Sequence, residues 1–247
     1  MQKAEREYGK GGWVGIGTLQ ANPTVEAEFR RLLPDDMEML TTRLLGDAAS
    51  SEQRLVDYIE HLPRALSAYD ALKPDVFGFA CTGSSYLIGA EREAAIVAAA
   101  EAQFGYPVIT AAQAVLATLQ ALGAKRIAIL APYPQAITDA SVAFWQAAGL
   151  TVVEAQRIDL GSADTRRIYS LSSGDAMAAL RKLPTDEADA ILLSGTGMPT
   201  LVTIRAAASV FDKPVLSSNY CLAWAMIKAL GGSIPPWSTD GPTLNLT

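Results

Sequence analysis

The 247-residue sequence has little histidine and little cysteine: it contains one histidine, His61, and two cysteines. No group of histidines, cysteines and carboxylates has the spacing of metal ligands, so we expect neither a metal site nor a Ser-His-Asp triad. His61 lies in helix-period sequence, where we expect a structural role. Two cysteines do not make a disulfide framework, which indicates a reducing compartment and a cytoplasmic location.

A basic surface is also lacking. With 20 basic and 26 acidic residues the formal net charge is −6, which argues against nucleic-acid and anionic-membrane partners. No cationic segment followed by an apolar stretch opens the sequence, so we expect no secretory signal. Residues 102–124 are uncharged, but Gly105 and Pro107 interrupt them, and we predict a strand and a helix there rather than a membrane span. A small carboxylate partner needs only a local cradle, and a homo-oligomer is compatible with this composition.

Short apolar runs alternate with helix-period sequence along the chain. Continuous apolar strands separated by helices are typical of a parallel sheet covered on both faces, so we predict an α/β fold. No P-loop lysine and no GxGxxG motif accompanies the runs, and we expect no cofactor. The six runs are "WVGIGTLQ", "DVFGFACTG", "YPVITA", "RIAILAPY", "ADAILLSGTG" and "KPVLSS".

The two halves of the chain repeat each other at a nearly constant offset. Arg43 precedes Arg157 by 114 positions, and Cys81 precedes Gly195 by the same number. Two further pairs of segments follow each other at offsets of 113 and about 107. Four elements in the same order indicate an internal duplication. We therefore predict two pseudo-symmetric lobes, each a mainly parallel sheet flanked by helices.

The first predicted lobe spans 13–110 together with the helix after 217, and the second spans 125–216 together with the helix 111–123. In open parallel sheets, ligands bind beyond the carboxyl ends of the strands. The residues that follow each apolar run should then meet in one cleft between the lobes. They are Gln20 to Asn22, Cys81 to Ser84, Tyr133, Gly195 to Gly197 and Ser217 to Asn219.

Two of these strand ends, "CTGSS" and "GTGM", are short glycine-bearing turns into helices. Such turns can present consecutive backbone N–H groups, and the following helix adds partial positive charge. Facing each other, they form a cradle for a carboxylate or for an enediolate that develops from one. The same amides would stabilise a thiolate at Cys81 or poise its thiol for proton transfer; burial as a small apolar side chain is the alternative. For Cys221, on an apolar helix, we expect a core position.

Three further polar residues each allow a binding and a structural interpretation. The phenol of Tyr133 could donate to a carboxylate or only cap the core. Asn22 could bind substrate through its amide or initiate the turn that follows it. Asn219 could likewise bind substrate, with helix capping by Ser217 or Ser218 as the alternative for this segment.

The duplicated lobes and four segments together resemble the aspartate/glutamate racemase superfamily. The segments are "IGTLQANPTVEAEF", "FACTGSSYLIG", "APY" and "ILLSGTGMPTL". The resemblance extends from about Trp13 to Gly232 and is to the branch that holds maleate cis-trans isomerase, arylmalonate decarboxylase and the ectoine-utilisation relatives. It implies cofactor-free carbon-acid chemistry between the lobes, with a small carboxylate as substrate.

By this resemblance Cys81 occupies the first of the two catalytic cysteine positions of the racemases, and Gly195 occupies the second. Asn22 and Tyr133 match positions that bind substrate carboxylates, and Asn219 matches a further polar position of the site. The turns that resemble the superfamily's oxyanion cradles contain Thr82, Gly83 and Thr196. We predict substrate-binding positions for Ser84 and Gly197 as well, because they follow the same two strand ends.

Glycine at position 195 departs from the two-cysteine pattern, because two-base racemisation needs a proton donor or acceptor on each face of the substrate. We therefore favour a decarboxylase of a substituted malonate, in which Cys81 protonates one face of an enediolate. The alternative is a maleate-type isomerase in which Cys81 adds to the double bond. A more remote alternative is a carboxylate-binding protein without catalysis. Leu19, Met198 and Trp237 are candidates for an apolar pocket wall, with packing as the alternative.

Overall fold

A computed structural model describes residues 6–232 as two four-stranded parallel sheets. Their strand orders are β2-β1-β3-β4 and β6-β5-β7-β8, so the second half repeats the first. The first sheet contains β1 (Gly12–Leu19), β2 (Met37–Leu44), β3 (Val76–Phe79) and β4 (Val108–Thr110). The second contains β5 (Arg126–Ala131), β6 (Thr151–Arg157), β7 (Ala190–Leu193) and β8 (Val215–Ser217). The predicted α/β fold with two pseudo-symmetric lobes is confirmed.

Helices connect the strands and cover the sheets, as parallel pairing requires. In the first half they are α1 (Thr24–Leu32), α2 (Ser51–Glu60), α3 (Leu62–Ser67), α4 (Thr82–Ile88), α5 (Ala90–Phe104) and α6 (Ala111–Ala121). In the second half they are α7 (Gln135–Ala147), α8 (Ser173–Leu180), α9 (Leu201–Ala207) and α10 (Ser218–Ala229). A 3₁₀ helix covers Thr165–Ser170 between β6 and α8.

The strand register shows the duplication directly. Thr18 of β1 pairs with Arg43 of β2, and Ala131 of β5 pairs with Arg157 of β6. The arginines that are 114 positions apart in the sequence therefore hold equivalent places at the carboxyl ends of the two sheets.

Burial follows the position of each strand in its sheet. The inner strands β3 and β7 are buried at every residue, because helices cover both of their faces. The outer strands β2 and β6 are mostly half-buried. Helix α10 packs against α6 and also against β3 and β4 of the first sheet. The lobe boundaries and the exchange of helices between lobes stay predictions.

His61 is exposed at the end of α2. Cys221 is fully buried in α10, and burial raises the pKa of its thiol to about 12, as suits a core position. Trp237 lies outside the described residues. Within residues 6–232 no helix is long and apolar enough to cross a membrane.

Candidate active site

Cys81 lies between the end of β3 and the start of α4, and it is the N-cap residue of that helix. Its backbone is extended, with φ −152° and ψ 102°, and it precedes the first turn of the helix. The residue is only 2% exposed. The Ser84 hydroxyl donates to the Cys81 Sγ at 3.1 Å, and the backbone N–H groups of Gly83 and Ser84 donate to the same sulfur. Three donors from one helical turn therefore converge on the thiol.

The thiol is protonated at rest despite these donors. Burial raises the pKa of Cys81, and the hydrogen bonds from Ser84 and Gly83 oppose this rise only in part. The Ser84 hydroxyl also lies 2.5 Å from the Leu55 carbonyl oxygen. Because a hydroxyl carries one proton, Ser84 can give it to the carbonyl while the thiol is neutral and to the sulfur when a thiolate forms.

Gly195 holds the equivalent place after β7. Its φ of +101° is a conformation that side chains rarely adopt. A Cβ added there would lie 3.3 Å from the Tyr133 hydroxyl oxygen and 3.4 Å from the ring of Pro132. A glycine thus holds the second cysteine position, in a backbone conformation that would strain any side chain, and it lies against the Tyr133 hydroxyl.

The two turns are joined directly across the lobes. Thr196 Oγ1 donates to the Ala80 carbonyl oxygen at 2.8 Å, so the residue after Gly195 is tied to the residue before Cys81. In the other direction, the Tyr86 hydroxyl of α4 lies 2.9 Å from the Ser194 hydroxyl. These reciprocal bonds fix the spacing between the two strand ends.

Tyr133 follows β5 and lies against the Cys81 turn. Its hydroxyl is 3.0 Å from the hydroxyl of Thr82, and the residue is 5% exposed. Burial raises the pKa of the phenol well above its ordinary value, and the neighbouring Cys81 adds to the rise. The phenol is therefore neutral and lies near the Cys81 turn, and its role in binding a carboxylate stays a prediction.

Asn22 has the predicted role in the turn before α1, and its role in binding substrate stays a prediction. Its Oδ1 accepts hydrogen bonds from the backbone N–H groups of Thr24 and Val25, at 2.9 and 3.4 Å, and so starts α1. Its Nδ2 is buried and has no partner among residues 6–232. Thr24 Oγ1 donates to the Gly197 carbonyl oxygen at 2.8 Å, which brings this turn to the second glycine-bearing turn. A free buried donor therefore lies at the meeting of the lobes.

Asn219 is the second residue of α10, and the capping of that helix falls to Ser217, whose hydroxyl accepts from the Tyr220 N–H. The Asn219 Nδ2 donates to the Thr196 carbonyl oxygen at 3.0 Å and to Glu28 Oε2 at 2.8 Å. Its Oδ1 is buried without a partner among the described residues. Asn219 is thus free of the capping role and is tied to the second turn.

The chain is similar to known proteins along most of its length. The sequence profile of the arylmalonate decarboxylase family matches residues 21–238. The chain belongs to this family. It is 26% identical over 227 residues to a maleate isomerase of Nocardia farcinica, covering 88% of this chain and 89% of the relative. It is 27% identical over 230 residues to the arylmalonate decarboxylase of Bordetella bronchiseptica, covering 89% and 90%.

A solved structure shows the same fold. A cysteine-to-alanine variant of the maleate isomerase Iso from Pseudomonas putida S16, crystallised with maleate, superposes with a TM-score of 0.82 at 25% identity. The match covers 94% of this chain and 99% of that one. The resemblance to the branch of maleate isomerases and arylmalonate decarboxylases is confirmed, and family membership agrees with an enzyme rather than a binding protein.

The structure adds site residues that the sequence did not indicate. Tyr169, in the 3₁₀ helix, packs so closely on Gly197 that a Cβ there would lie 3.0 Å from its ring. Burial raises the pKa values of Tyr58 and Tyr169, and the neighbouring Cys81 adds to both rises. Glu28 is buried on α1 and bonds to Asn219. Only Glu28 carried a sequence signal, because it lies on the buried face of α1, one turn from Val25.

No metal centre competes for this site within the part of the chain that the structure describes. Residues 6–232 contain no group of three or more histidines, cysteines and carboxylates that could hold a metal ion. The groups that converge near Cys81 are hydroxyls, amides and backbone N–H groups. Such a set suits a carboxylate and the negative charge that develops on it.

Proposed function

We propose that this protein is a cis-trans isomerase of maleate-type dicarboxylates and that Cys81 adds covalently to the double bond. The observation that carries the proposal is the buried Cys81 sulfur, which lies within reach of three donors: the Ser84 hydroxyl and the backbone N–H groups of Gly83 and Ser84. The similarity to maleate isomerases along most of the chain supports the substrate class. The similarity to an arylmalonate decarboxylase is compatible with decarboxylation as well.

The site offers separate donors for a dicarboxylate. The unpartnered Nδ2 of Asn22 would hold one carboxylate, because a buried amide without a partner gains most from a charged acceptor. The neutral phenol of Tyr133 and the turn amides beside Cys81 would hold the other. These groups are fixed before the substrate arrives, since Thr82, Thr196 and Ser217 tie the turns in place.

The proposed reaction is proton-neutral over its cycle. Sulfur forms a bond to one alkene carbon, the π electrons move onto the other carbon and its carboxylate, and the thiol proton passes to the resulting enediolate. The former double bond is then single and can rotate. The electrons return, the C–S bond breaks, and the proton goes back to sulfur, which releases the trans isomer.

The cycle needs one cysteine, which is why Gly195 does not exclude it. A second thiol would protonate the carbanion carbon, but an enediolate held by Tyr133 and turn amides can persist while the bond rotates. Ser84 supplies the matching switch at sulfur, because its hydroxyl can turn from the Leu55 carbonyl to a developing thiolate.

The test is incubation of the protein with maleate, followed by proton NMR for fumarate and by intact mass for an adduct on Cys81. We expect fumarate and a mass increase equal to one maleic acid, both lost in Cys81→Ala. Cys221→Ala is the matched control, because Cys221 is fully buried in the core, and it should keep both signals. Turnover without any adduct, or equal turnover in Cys81→Ala, would contradict the covalent route.

A second candidate is decarboxylation of a substituted malonate with one-sided protonation by Cys81. Two observations favour it: burial raises the pKa of the Cys81 thiol, which keeps a proton ready to deliver, and Gly195 leaves only one thiol at the two strand ends. The measurement is CO₂ release from aryl- and alkylmalonates in D₂O with chiral analysis of the product. Release of CO₂ with one product hand, and no fumarate from maleate, would favour this candidate over the isomerase.

A further inference from the structure

Glu28 is a buried carboxylate that crosses from one half of the molecule to the other. It lies on α1, at 6% exposure, and its hydrogen-bond partners among residues 6–232 are all neutral. All of them belong to the second half of the chain. They are the Thr200 N–H at 2.5 Å, the Leu201 N–H at 3.0 Å, the Thr200 hydroxyl at 3.2 Å and the Asn219 Nδ2 at 2.8 Å.

The first consequence is that Glu28 caps the start of α9, although it lies on a different helix. Thr200 precedes α9, and its own side chain makes no capping hydrogen bond. The free N–H groups at a helix start need acceptors, and a negative group is favourable there. Glu28 provides that acceptor to Thr200 and Leu201. The turn from Gly195 to Thr200 is therefore held at its far end by a side chain of the first half.

The second consequence concerns the Asn219 amide. The Asn219 Nδ2 donates one hydrogen bond to Glu28 and the other to the Thr196 carbonyl oxygen, so the orientation of the amide is fixed. The Oδ1 atom is left buried and unpartnered. If a glutamine replaced Glu28, its own NH₂ group would compete with the Asn219 NH₂ group and with two backbone N–H donors. A carboxylate is the side chain that satisfies all these donors at once.

We propose that Glu28 is a positioning residue of the site: it orients the Asn219 amide and anchors the Gly195–Thr200 turn against the Cys81 turn. The proposal rests on the proposed function of the site, because it gives that turn and Asn219 a part in holding a dicarboxylate. Burying a carboxylate without a cation is unfavourable. In this protein the buried carboxylate fixes the positions of the Asn219 amide and of the Gly195–Thr200 turn.

The test compares Glu28→Gln with Glu26→Gln. Glu26 lies two residues earlier on α1 and faces Arg43 instead of the site, at 2.6 Å, so it controls for loss of a carboxylate on this helix. We expect Glu28→Gln to lower kcat/KM for maleate by about 10- to 100-fold, the range for residues that orient a binding group. KM should rise and kcat should fall, while Glu26→Gln stays within about twofold of the wild type. Equal kcat and KM in Glu28→Gln, at full folding, would overturn the proposal.

A second readout does not depend on substrate. The two Asn219 side-chain N–H protons should exchange slowly with solvent in the wild type, because both are bonded and buried. Their NMR signals are assigned by their absence in Asn219→Ala. Glu28→Gln should shift them and speed their exchange; unchanged signals would overturn the proposal even if the protein turned over no maleate. Failure of the proposed function, with no turnover or binding in the wild type, is thereby distinguished from failure of this inference.

Thr200→Val keeps the proposal falsifiable if Glu28→Gln does not fold. It removes the hydroxyl that contacts both oxygens of the Glu28 carboxylate and leaves the backbone donors in place. We expect a several-fold loss in kcat/KM and faster exchange of the Asn219 amide. In an Asn219→Ala background, Thr200→Val should add little to the loss, because the two act through one network. Wild-type kinetics in Thr200→Val together with wild-type exchange would contradict the proposal.

Discussion

The turn after β3 and the turn after β7 hold equivalent places in the two halves, but only the first contains a reactive side chain at the position compared. The first presents Cys81 with three donors to its sulfur. The second presents Gly195, whose backbone conformation admits a side chain only with strain. Both keep a threonine next, and Thr196 ties the second turn to the first. The duplication thus preserves the frame in both turns, whereas reactive chemistry is confined to one of them.

The largest expected effect comes from removing the Cys81 thiol, which is the reactive group of the first turn. Cys81→Ala should lower turnover on the order of 10³-fold or more, because loss of a nucleophile or sole proton donor removes the chemical step itself. Folding should persist, since the exchanged side chains are both small. Kinetics with the accepted substrate, together with binding of succinate by calorimetry, measures this. Undiminished turnover would mean that the second turn carries the chemistry.

Next in size is the loss of the donor that lies between the turns. Tyr133→Phe removes a hydroxyl that is 3.0 Å from the Thr82 hydroxyl and next to Gly195. We expect kcat to fall by about 10²-fold, which is typical of removing one donor to a developing oxyanion. Tyr106→Phe is a matched control, because the Tyr106 hydroxyl lies outside the site and is buried without a hydrogen-bond partner among residues 6–232. Equal effects of the two substitutions would count against a role for Tyr133 in the reaction.

The strain that a side chain would cause at Gly195 can be measured separately. Gly195→Ala should lower the free energy of unfolding by about 1–3 kcal/mol, because its φ of +101° disfavours a side chain and the new Cβ meets Tyr133 and Pro132. Gly123→Ala is the control: its φ is +67°, but open space surrounds its added Cβ. Urea unfolding of both variants separates backbone strain from contact. A stability loss no larger in Gly195→Ala than in the control would show that the second turn adapts.

This result also bears on Gly195→Cys, which would restore the two-cysteine pattern. The sequence comparison suggests that such a variant gains exchange of the α-hydrogen of substituted carboxylates. In the structure the new side chain would displace the Tyr133 hydroxyl or the Pro132 ring. We therefore expect deuterium exchange in this variant to be accompanied by weaker binding of the substrate.

Much of this arrangement could be predicted from the sequence, because it follows from local rules. Apolar runs before small residues marked the strand ends, and the 114-residue offset paired Cys81 with Gly195. The contacts that join the lobes could not be predicted. Glu28 and Thr200 are 172 positions apart, and neither belongs to a motif that would indicate the other. Tyr169 lies in a segment with no apolar periodicity, so nothing placed it near Gly197.

A smaller effect is expected from cutting the bond between the turns. Thr196→Val keeps the shape of the side chain but leaves the Ala80 carbonyl oxygen without its 2.8 Å donor. We expect a loss of about 1 kcal/mol in stability and a several-fold fall in kcat/KM as the two turns drift apart. Thr203→Val is the control, because Thr203 also donates to a backbone carbonyl, that of Ser173, away from the turns. It should lose stability alone; a fall in kcat/KM equal to that of Thr196→Val would refute the link between turn spacing and catalysis.

The smallest effect at neutral pH comes from ionisation of the Cys81 thiol. The equivalent turn has glycine at position 195 and therefore no titratable side chain there. Burial raises the pKa of Cys81 in the folded state, so the folded thiol keeps its proton at a pH where the unfolded thiol has lost it. This contribution to stability is present below the unfolded pKa and is lost as pH rises through the ordinary thiol range toward the folded pKa, by up to about 1.4 kcal/mol per pH unit. The unfolding free energy of the wild type minus that of Cys81→Ala should therefore fall between about pH 8 and pH 10, since the subtraction removes the tyrosines and Cys221. A flat difference would mean that folding does not shift the pKa of Cys81, and a difference that rises with pH would mean that the folded protein favours the thiolate, from which the reaction would then start.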